Sequence, residues 1–239
     1  MDECEWASKF VFNPIFSQSR STLPASHFTR RGSLQDLQTA AQDKHCQHMQ
    51  QLLFGKGDAV VCNDNHECTH LALTSNNLKG RMPHEVALLT KLQMLDMPCN
   101  EIHQDWPCAQ FFADKHSPLC DRLLCLNMQD QTCHLLQDIP THFGRFTNST
   151  VMVLSNIASH EDSTWTSSTL APAIHSELGS LSNLLGLHLE GLCLKRTTPF
   201  SVAASLTNLV HFSVGRNQLQ GTLPDQLGPR LIHFKVSDK

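Results

Sequence analysis

The chain has 239 residues, of which 40% are apolar, and a formal net charge of −4. That length allows one large domain or two small ones. Basic and acidic residues are mixed throughout, so we expect neither a nucleic-acid-binding face nor a patch for a membrane surface. No apolar run approaches the roughly 20 residues of a membrane span, so we expect no transmembrane segment. The first ten residues, MDECEWASKF, lack the apolar core of a signal peptide.

The N-terminal region, residues 1–61, is polar and is expected to be partly disordered. Within it, residues 34–53 have the spacing of an amphipathic helix. His45 and His48 would share one face of this helix and could bind a metal there. In a chain with 15 histidines a solvated face is the simpler interpretation, so we assign no metal site.

His66, Glu67 and His70 match H-E-x-x-H, the zinc-protease signature. In such enzymes the motif lies on a helix, where the two histidines bind zinc and the glutamate acts as a base. Here polar turn residues flank the motif, and the apolar residues Leu71 and Leu73 alternate as in a strand. The sequence therefore favours a strand in a protein that is not an enzyme, with no catalytic residues and no cofactor. A zinc metalloprotease is the alternative.

The rest of the chain, residues 62–239, repeats the pattern L-x-x-L-x-L-x-x-N. Its seven copies begin at Cys68, Leu92, Leu123, Asn148, Leu184, Leu209 and Leu231. The spacings between them are 24, 31, 25, 36, 25 and 22 residues, and the two longest indicate insertions near residues 105–118 and 158–169. Repeats of this length are typical of solenoid proteins.

Each copy predicts one short strand whose two central apolar residues face the same side. In the fourth copy these residues are Val151 and Val153. Stacking the copies buries the apolar rows against each other, because each repeat packs on its neighbours. The asparagine that ends the pattern turns inward, where it can bond backbone groups that would otherwise be buried unpaired. Gln131 and Leu192 replace it in the third and fifth copies.

A second segment follows several strands and reads LKGRMPHEVALLTKL at 78–92, IHSELGSLSNL at 174–184 and LQGTLPDQLG at 219–228. These segments resemble the plant-type leucine-rich repeat, and Gly80, Pro83, Gly221 and Pro224 match its consensus directly. The resemblance covers roughly residues 62–239. It implies an α/β fold, a curved horseshoe-shaped solenoid of about seven repeats. Short parallel strands would form its concave side, and irregular or 3-10 segments its convex side.

The resemblance also implies an N-terminal cap with cysteines. Cys4-Glu5-Trp6 and Val60-Val61-Cys62 look like its two halves, split by a long insertion or by translated non-coding sequence. If the protein is secreted, Cys62 could pair with Cys4 or with Cys68. Cys68 and Cys193 fit equally well as buried thiols, which pack as small apolar residues, and its place in the first repeat favours the thiol for Cys68.

Repeat solenoids present extended concave surfaces built from outward strand positions. The outward positions between the two core residues of each copy are Ala72, Asp96, Asn127, Met152, His188, Ser213 and Lys235. The resemblance implies that this surface binds a protein or peptide ligand. It implies a recognition module or receptor-like scaffold, located outside the cell or on its surface. The absence of a visible signal peptide leaves a cytoplasmic location open.

Two further features bear on this interpretation. Asn148-Ser149-Thr150 is an N-glycosylation sequon. In the register above Asn148 faces inward and no glycan is expected, whereas in a loop the site would be open. The seventh copy stops inside its repeat, so we expect a C-terminally truncated chain, and a non-functional remnant is a further alternative.

Overall fold

The computed structural model describes residues 38–39, 41–42, 60–74, 78–80, 82–98, 100–102, 118–128, 139, 141–155, 174–192, 194, 199–220 and 227–236. In these ranges, no helix combines the length and the apolar character needed to pass through a bilayer.

Eight strands form the main sheet. They are β1 (Val60–Cys62), β2 (Cys68–Ala72), β4 (Met94–Asp96), β6 (Cys125–Asn127), β7 (Val151–Val153), β8 (Gly186–His188), β9 (His211–Ser213) and β10 (His233–Lys235). From β2 onward each strand of this sheet pairs in parallel with the following strand of the same sheet. Strand β1 pairs antiparallel with β2 at one edge. Parallel strands stacked in chain order are the architecture of a solenoid, so the predicted fold class is confirmed.

Short helical segments connect the strands on the other side of the core. Among the described residues, three of these segments are 3-10 helices, His84–Leu88, Thr141–Arg145 and Ser176–Ser180, and two are α-helices, α1 (Pro118–Arg122) and α2 (Pro199–Ser205). In the described part of the chain, a second sheet pairs β3 (Lys79–Gly80) in parallel with β5 (Glu101–Ile102).

Consecutive connecting segments pack closely against one another. A Cβ atom at Gly144 would lie 2.8 Å from the carbonyl carbon of Glu177 in the next copy. Glycine is therefore required where the 3-10 helix of the third copy meets that of the fourth.

Two inward rows of side chains fill the core between the sheet and these segments. The first row consists of Leu71, Leu95, Leu126, Met152, Leu187 and Phe212, which the strand register brings side by side. The second row consists of Leu73, Met97, Met128, Leu154, Leu189 and Val214, all buried. Burying one such side chain contributes about 1.5–3 kcal/mol, so stability grows with the number of stacked copies.

The register of the fourth copy differs from the prediction. Met152 aligns with Leu126 and Leu187 and is 0% exposed, so the prediction that it faces outward is wrong. Val151 and Val153 lie on the outward side instead. All four residues from 151 to 154 are apolar, so alternation alone does not choose a face, and the neighbouring strands set it. Ser149 takes the place of the first leucine, and its buried hydroxyl donates to the Leu123 carbonyl at 2.6 Å.

Asn100 and Asn217 turn inward as predicted and clamp the turn of the preceding copy. Asn100 Nδ2 donates to the Leu73 carbonyl at 2.8 Å, and its Oδ1 accepts from the Leu78 N–H at 3.0 Å. Asn217 makes the same kinds of bond to the Leu189 carbonyl and to the Leu192 N–H. Each asparagine therefore satisfies backbone groups that belong to its neighbour. The residues predicted at this position in the first, third and fourth copies, Asn76, Gln131 and Asn156, lie outside the described residues.

Part of the predicted N-terminal helix packs on the first repeat. Ala41 is buried in the main core cluster, and Gln38 and Gln42 donate to Glu85 Oε1 at 2.6 and 3.0 Å. His45 and His48 lie outside the described residues, as do Cys4 and Cys193. The boundary between residues 61 and 62 stays a prediction.

Cys62 and Cys68 are in different states. Cys62 belongs to a disulfide, whereas Cys68 is a buried free thiol. The thiol favoured for Cys68 is therefore confirmed, and a bond between these two cysteines does not form.

Candidate functional site

The sheet face opposite the core carries three parallel columns of side chains, and we call it the concave face. The middle column contains Ala72, Asp96, Asn127, Val153, His188, Ser213 and Lys235. The column before it contains His70, Met94, Cys125, Val151, Gly186, His211 and His233. The column after it includes Thr74, Ser155 and Glu190. The structure thus brings six of the seven predicted positions into one column, with Val153 in place of Met152.

These six positions differ in accessibility. Ala72, Asp96, His188 and Lys235 are partly exposed, and they lie towards the two ends of the sheet. Asn127 and Ser213 are buried and serve mainly to hold their neighbours. A ligand on this face would therefore reach its ends more readily than its middle.

The middle of the concave face is apolar. Met94, Cys125, Val151 and Val153 form a buried cluster separate from the main core, with Leu124 packed against it. Burial raises the pKa of the Cys125 thiol to about 11, so this thiol stays protonated at neutral pH and is a weak nucleophile.

One end of the concave face carries a charged network built around Glu190. Its Oε2 lies 3.1 Å from Lys235 Nζ, and its Oε1 accepts a hydrogen bond from the Ser213 hydroxyl. The Glu190 N–H donates to Ser155 Oγ at 3.2 Å. We call Ser155, Glu190, Ser213 and Lys235 the Glu190 cluster. It ties together strands β7 to β10 and leaves the Lys235 side chain 40% exposed.

Three histidines adjoin the Glu190 cluster. The rings of His211 and His233 stack with their centroids 4.6 Å apart. Desolvation by burial lowers the pKa of His188 to about 4, against the opposite pull of Glu190. Desolvation, aided by His233, also lowers the pKa of His211. His188 and His211 are therefore uncharged at neutral pH, and this end of the face gains positive charge as the pH falls.

The other end of the concave face carries one acid. Asn127 Nδ2 donates to Asp96 Oδ1 at 2.8 Å, and the Thr74 hydroxyl donates to Oδ2 at 3.3 Å. Desolvation outweighs these two bonds and raises the pKa of Asp96 to about 6. The face is thus acidic near the first repeats and is rich in imidazole and ammonium groups near the last.

Known proteins with similar sequences or structures show which fold this architecture belongs to. No protein-family model matches the chain. A curated relative, named a probable leucine-rich repeat receptor-like protein kinase of Arabidopsis thaliana, is 39% identical over 41 residues, which are 17% of this chain and 4% of the relative. The leucine-rich-repeat ectodomain of the Arabidopsis thaliana receptor kinase GASSHO1/SCHENGEN3, solved in complex with CASPARIAN STRIP INTEGRITY FACTOR 2, is 27% identical with a TM-score of 0.53. That match covers 65% of this chain and 16% of the ectodomain chain.

Two further solved structures share the fold. The Arabidopsis receptor kinase HAESA, in complex with the peptide hormone IDA and the co-receptor SERK1, gives a TM-score of 0.52 at 24% identity over 67% of this chain and 24% of its own. A pollen receptor kinase 3 gives a TM-score of 0.58 at 18% identity over 77% of this chain and 79% of its own. The chain has the fold of a leucine-rich-repeat solenoid. The solenoid spans less than a quarter of the curated relative and of the GASSHO1/SCHENGEN3 ectodomain.

The H-E-x-x-H motif lies at the start of the first repeat, across the turn before β2 and the strand itself. His66 has a left-handed backbone (φ 61°) in a turn that its N–H closes by donating to the Asn63 carbonyl at 2.9 Å. Glu67 accepts from Asn63 Nδ2 at 2.9 Å, and His70 lies on β2. The motif therefore spans a turn and a strand, and the helix that a zinc protease needs is not formed. Among the residues that the structure describes, no group of three or more His, Cys, Asp or Glu side chains could hold a metal ion.

Sequence reasoning missed Glu190 as a member of the site. Only the middle outward position of each copy was assigned to the binding surface. The strand alternation continues past the second inward residue, Leu189, so the next position also faces outward. Applying that alternation to the fifth copy would have found Glu190, whereas Ser155 also requires the corrected register of the fourth copy.

Proposed function

We propose that this solenoid is a non-enzymatic module that binds a protein or peptide ligand on its concave face. The observation that carries the proposal is the polar end of that face, where His188, His233 and Lys235 project from a rigid sheet and are at least partly exposed. Side chains fixed on a sheet lose little conformational entropy when a ligand binds, which favours recognition. The solved receptors that resemble the solenoid in fold are complexes with peptide or protein ligands in two of the three cases described above.

The proposed ligand contacts are the accessible members of the predicted column. These are Ala72 and Asp96 at one end and His188 and Lys235 at the other. Asn127 and Ser213 would act indirectly, since Asn127 orients Asp96 and Ser213 orients Glu190. A ligand that spans the face would present a hydrogen-bond donor near Asp96 and an acceptor near Lys235.

We also propose that the solenoid works outside the cell or at its surface. The Cys62 disulfide supports this location, because disulfides persist mainly in oxidising compartments. The resemblance to receptor ectodomains supports it as well.

The test is a selection of peptides from a phage-displayed random library on the immobilised chain, followed by calorimetric titration of the selected peptides. His233→Ala and Lys235→Gln should each weaken binding about 5-fold or more, because we expect both side chains to belong to the minority of contacts whose truncation costs more than about 1 kcal/mol. Lys235→Gln keeps a hydrogen-bond donor for the Glu190 carboxylate, so the fold is preserved. Leu88→Ser, on an exposed side chain of the 3-10 helix His84–Leu88 on the other side of the core, is the control and should bind as the parent does. Selected peptides that bind all variants equally would contradict the proposal.

A further inference from the structure

Three copies of the solenoid carry an asparagine at the same place on its outer rim. Asn148, Asn183 and Asn208 each lie three residues before a strand, namely β7, β8 and β9. Each donates from Nδ2 to a backbone carbonyl of the preceding copy. The acceptors are the carbonyls of Asp121, Thr147 and Ser182, at 2.7, 2.9 and 2.8 Å. We call these three side chains the rim asparagines.

Asn148 differs from the other two rim asparagines in the residues that follow it. Ser149 and Thr150 complete a sequon, whereas Leu184-Leu185 and Leu209-Val210 follow the others and complete none. The observed register also moves Asn148 from the expected inward position to the surface. It is exposed in a turn that the Ser149 N–H closes by donating to the Phe146 carbonyl at 2.8 Å.

We propose that Asn148 carries an N-linked glycan. In the transfer, Asn148 Nδ2 forms a bond to the anomeric carbon of an oligosaccharide whose donor is a lipid pyrophosphate. The bond from that carbon to the pyrophosphate oxygen breaks, and one of the two Nδ2 protons is lost to a base of the transferase. This modification rests on the extracellular location proposed above, since the donor and the transferase belong to the secretory pathway.

The folded rim has room for both the glycan and the hydrogen bond. Nδ2 carries two protons, of which one donates to the Asp121 carbonyl and the other is replaced by the sugar. The glycan therefore adds to the rim without removing the hydrogen bond from Asn148 to the Asp121 carbonyl.

The rest of the sequon is engaged by the fold. Ser149 is buried, and the Thr150 hydroxyl donates to the Leu124 carbonyl at 3.1 Å. The transferase must therefore act before this turn closes, so the modification has to be tested in cells rather than on the folded protein.

The position of the glycan divides the surface of the solenoid. It would stand on the rim beside β7, whereas the Glu190 cluster and His233 lie on the concave face. A bulky, solvated glycan at Asn148 would block partners from this rim and leave the polar end of the concave face open. The modification thus favours approach of a ligand from the side of the last three copies.

The test is expression of the full chain behind an added secretion signal in a eukaryotic cell line. Intact mass is then measured before and after digestion with peptide N-glycosidase. The parent chain should lose the mass of one glycan on digestion, with aspartate left at position 148. Asn148→Gln and Thr150→Val should show no such loss, and Thr150→Ser should keep it. Chain that is retained in the endoplasmic reticulum should show the same mass loss on digestion, because the transfer takes place there.

Asn183→Gln is the matched control, because it alters the same rim hydrogen bond without touching the sequon. It should keep the full digestion-dependent mass loss. A parent chain with no glycan, or a glycan that persists in Asn148→Gln, would overturn the proposal. A glycosylated chain that selects no peptides would instead contradict the proposed function alone, so the two failures are distinguishable.

Discussion

Replacing Asn100 with alanine should strongly destabilise the first two repeats. Its side chain bonds the Leu78 N–H at 3.0 Å and the Leu73 carbonyl at 2.8 Å, both in the preceding copy. Asn100 is only 2% exposed, so water has little access to either group once the amide is gone. A buried backbone group left unpaired costs about 1–3 kcal/mol, and two of them together cost about 2–6 kcal/mol. A domain's whole stability is about 5–15 kcal/mol, so this loss is large.

The assay is urea unfolding followed by circular dichroism. With a slope near 2 kcal/mol per molar urea, the Asn100→Ala midpoint should fall by roughly 1–3 M. Asn208→Ala is the control, since it removes one exposed bond to the Ser182 carbonyl, worth about 0.5–1 kcal/mol. Equal midpoints for the two variants would refute the reasoning, because the turn of the first copy would then not depend on the inward amide.

Three further predictions concern the core, the concave face and the thiols. Leu187→Asp should abolish cooperative unfolding, because it buries a charge in the first inward row, whereas Leu185→Asp, at a residue 43% exposed, should unfold like the parent. Acidification from pH 7 to 5 should change the free energy of unfolding in opposite directions through two residues. Unfolded His188 takes up a proton before the folded form, which destabilises the fold, whereas folded Asp96 takes one up before the unfolded form, which stabilises it. The urea midpoint of Asp96→Asn should therefore fall more steeply with acid than that of the parent, and the midpoint of His188→Gln less steeply. Parallel pH profiles would contradict this assignment. Burial raises the pKa of Cys68 to about 12, so iodoacetamide should modify it, by mass spectrometry, only after unfolding. Rapid labelling of the native chain would show that the thiol is accessible.

The sequence predicted the strands well because each copy marks its two inward residues. Leu187 alternates with the small or polar neighbours Gly186 and His188, so the period of two identifies the buried side there without ambiguity. The fourth copy lacks that contrast, and its register depends on Leu126, which is 26 residues away from Met152 in the sequence. Contacts of that kind are invisible to a local pattern.

The candidate site was predicted less completely than the fold. The middle column could be counted from the repeat, but accessibility depends on how neighbouring copies pack, which buries Asn127 and Ser213. The pairing of Glu190 with Lys235 joins residues 45 apart in the chain. A pattern that assigns one residue to each copy has no means of detecting a contact between copies five and seven.

Each of the inward and rim asparagines described above bonds the backbone of the copy that precedes it. The backbone hydrogen bonds of one copy are therefore complete only when the next copy has folded onto it. The stabilisation runs from each copy to the one before it in the chain. During synthesis, a repeat that has left the ribosome waits another 22–36 residues for the amide that closes its turn. A destabilising substitution in one repeat should therefore weaken the preceding repeat more than the following one. The two neighbours of any given copy should differ in how strongly they depend on it.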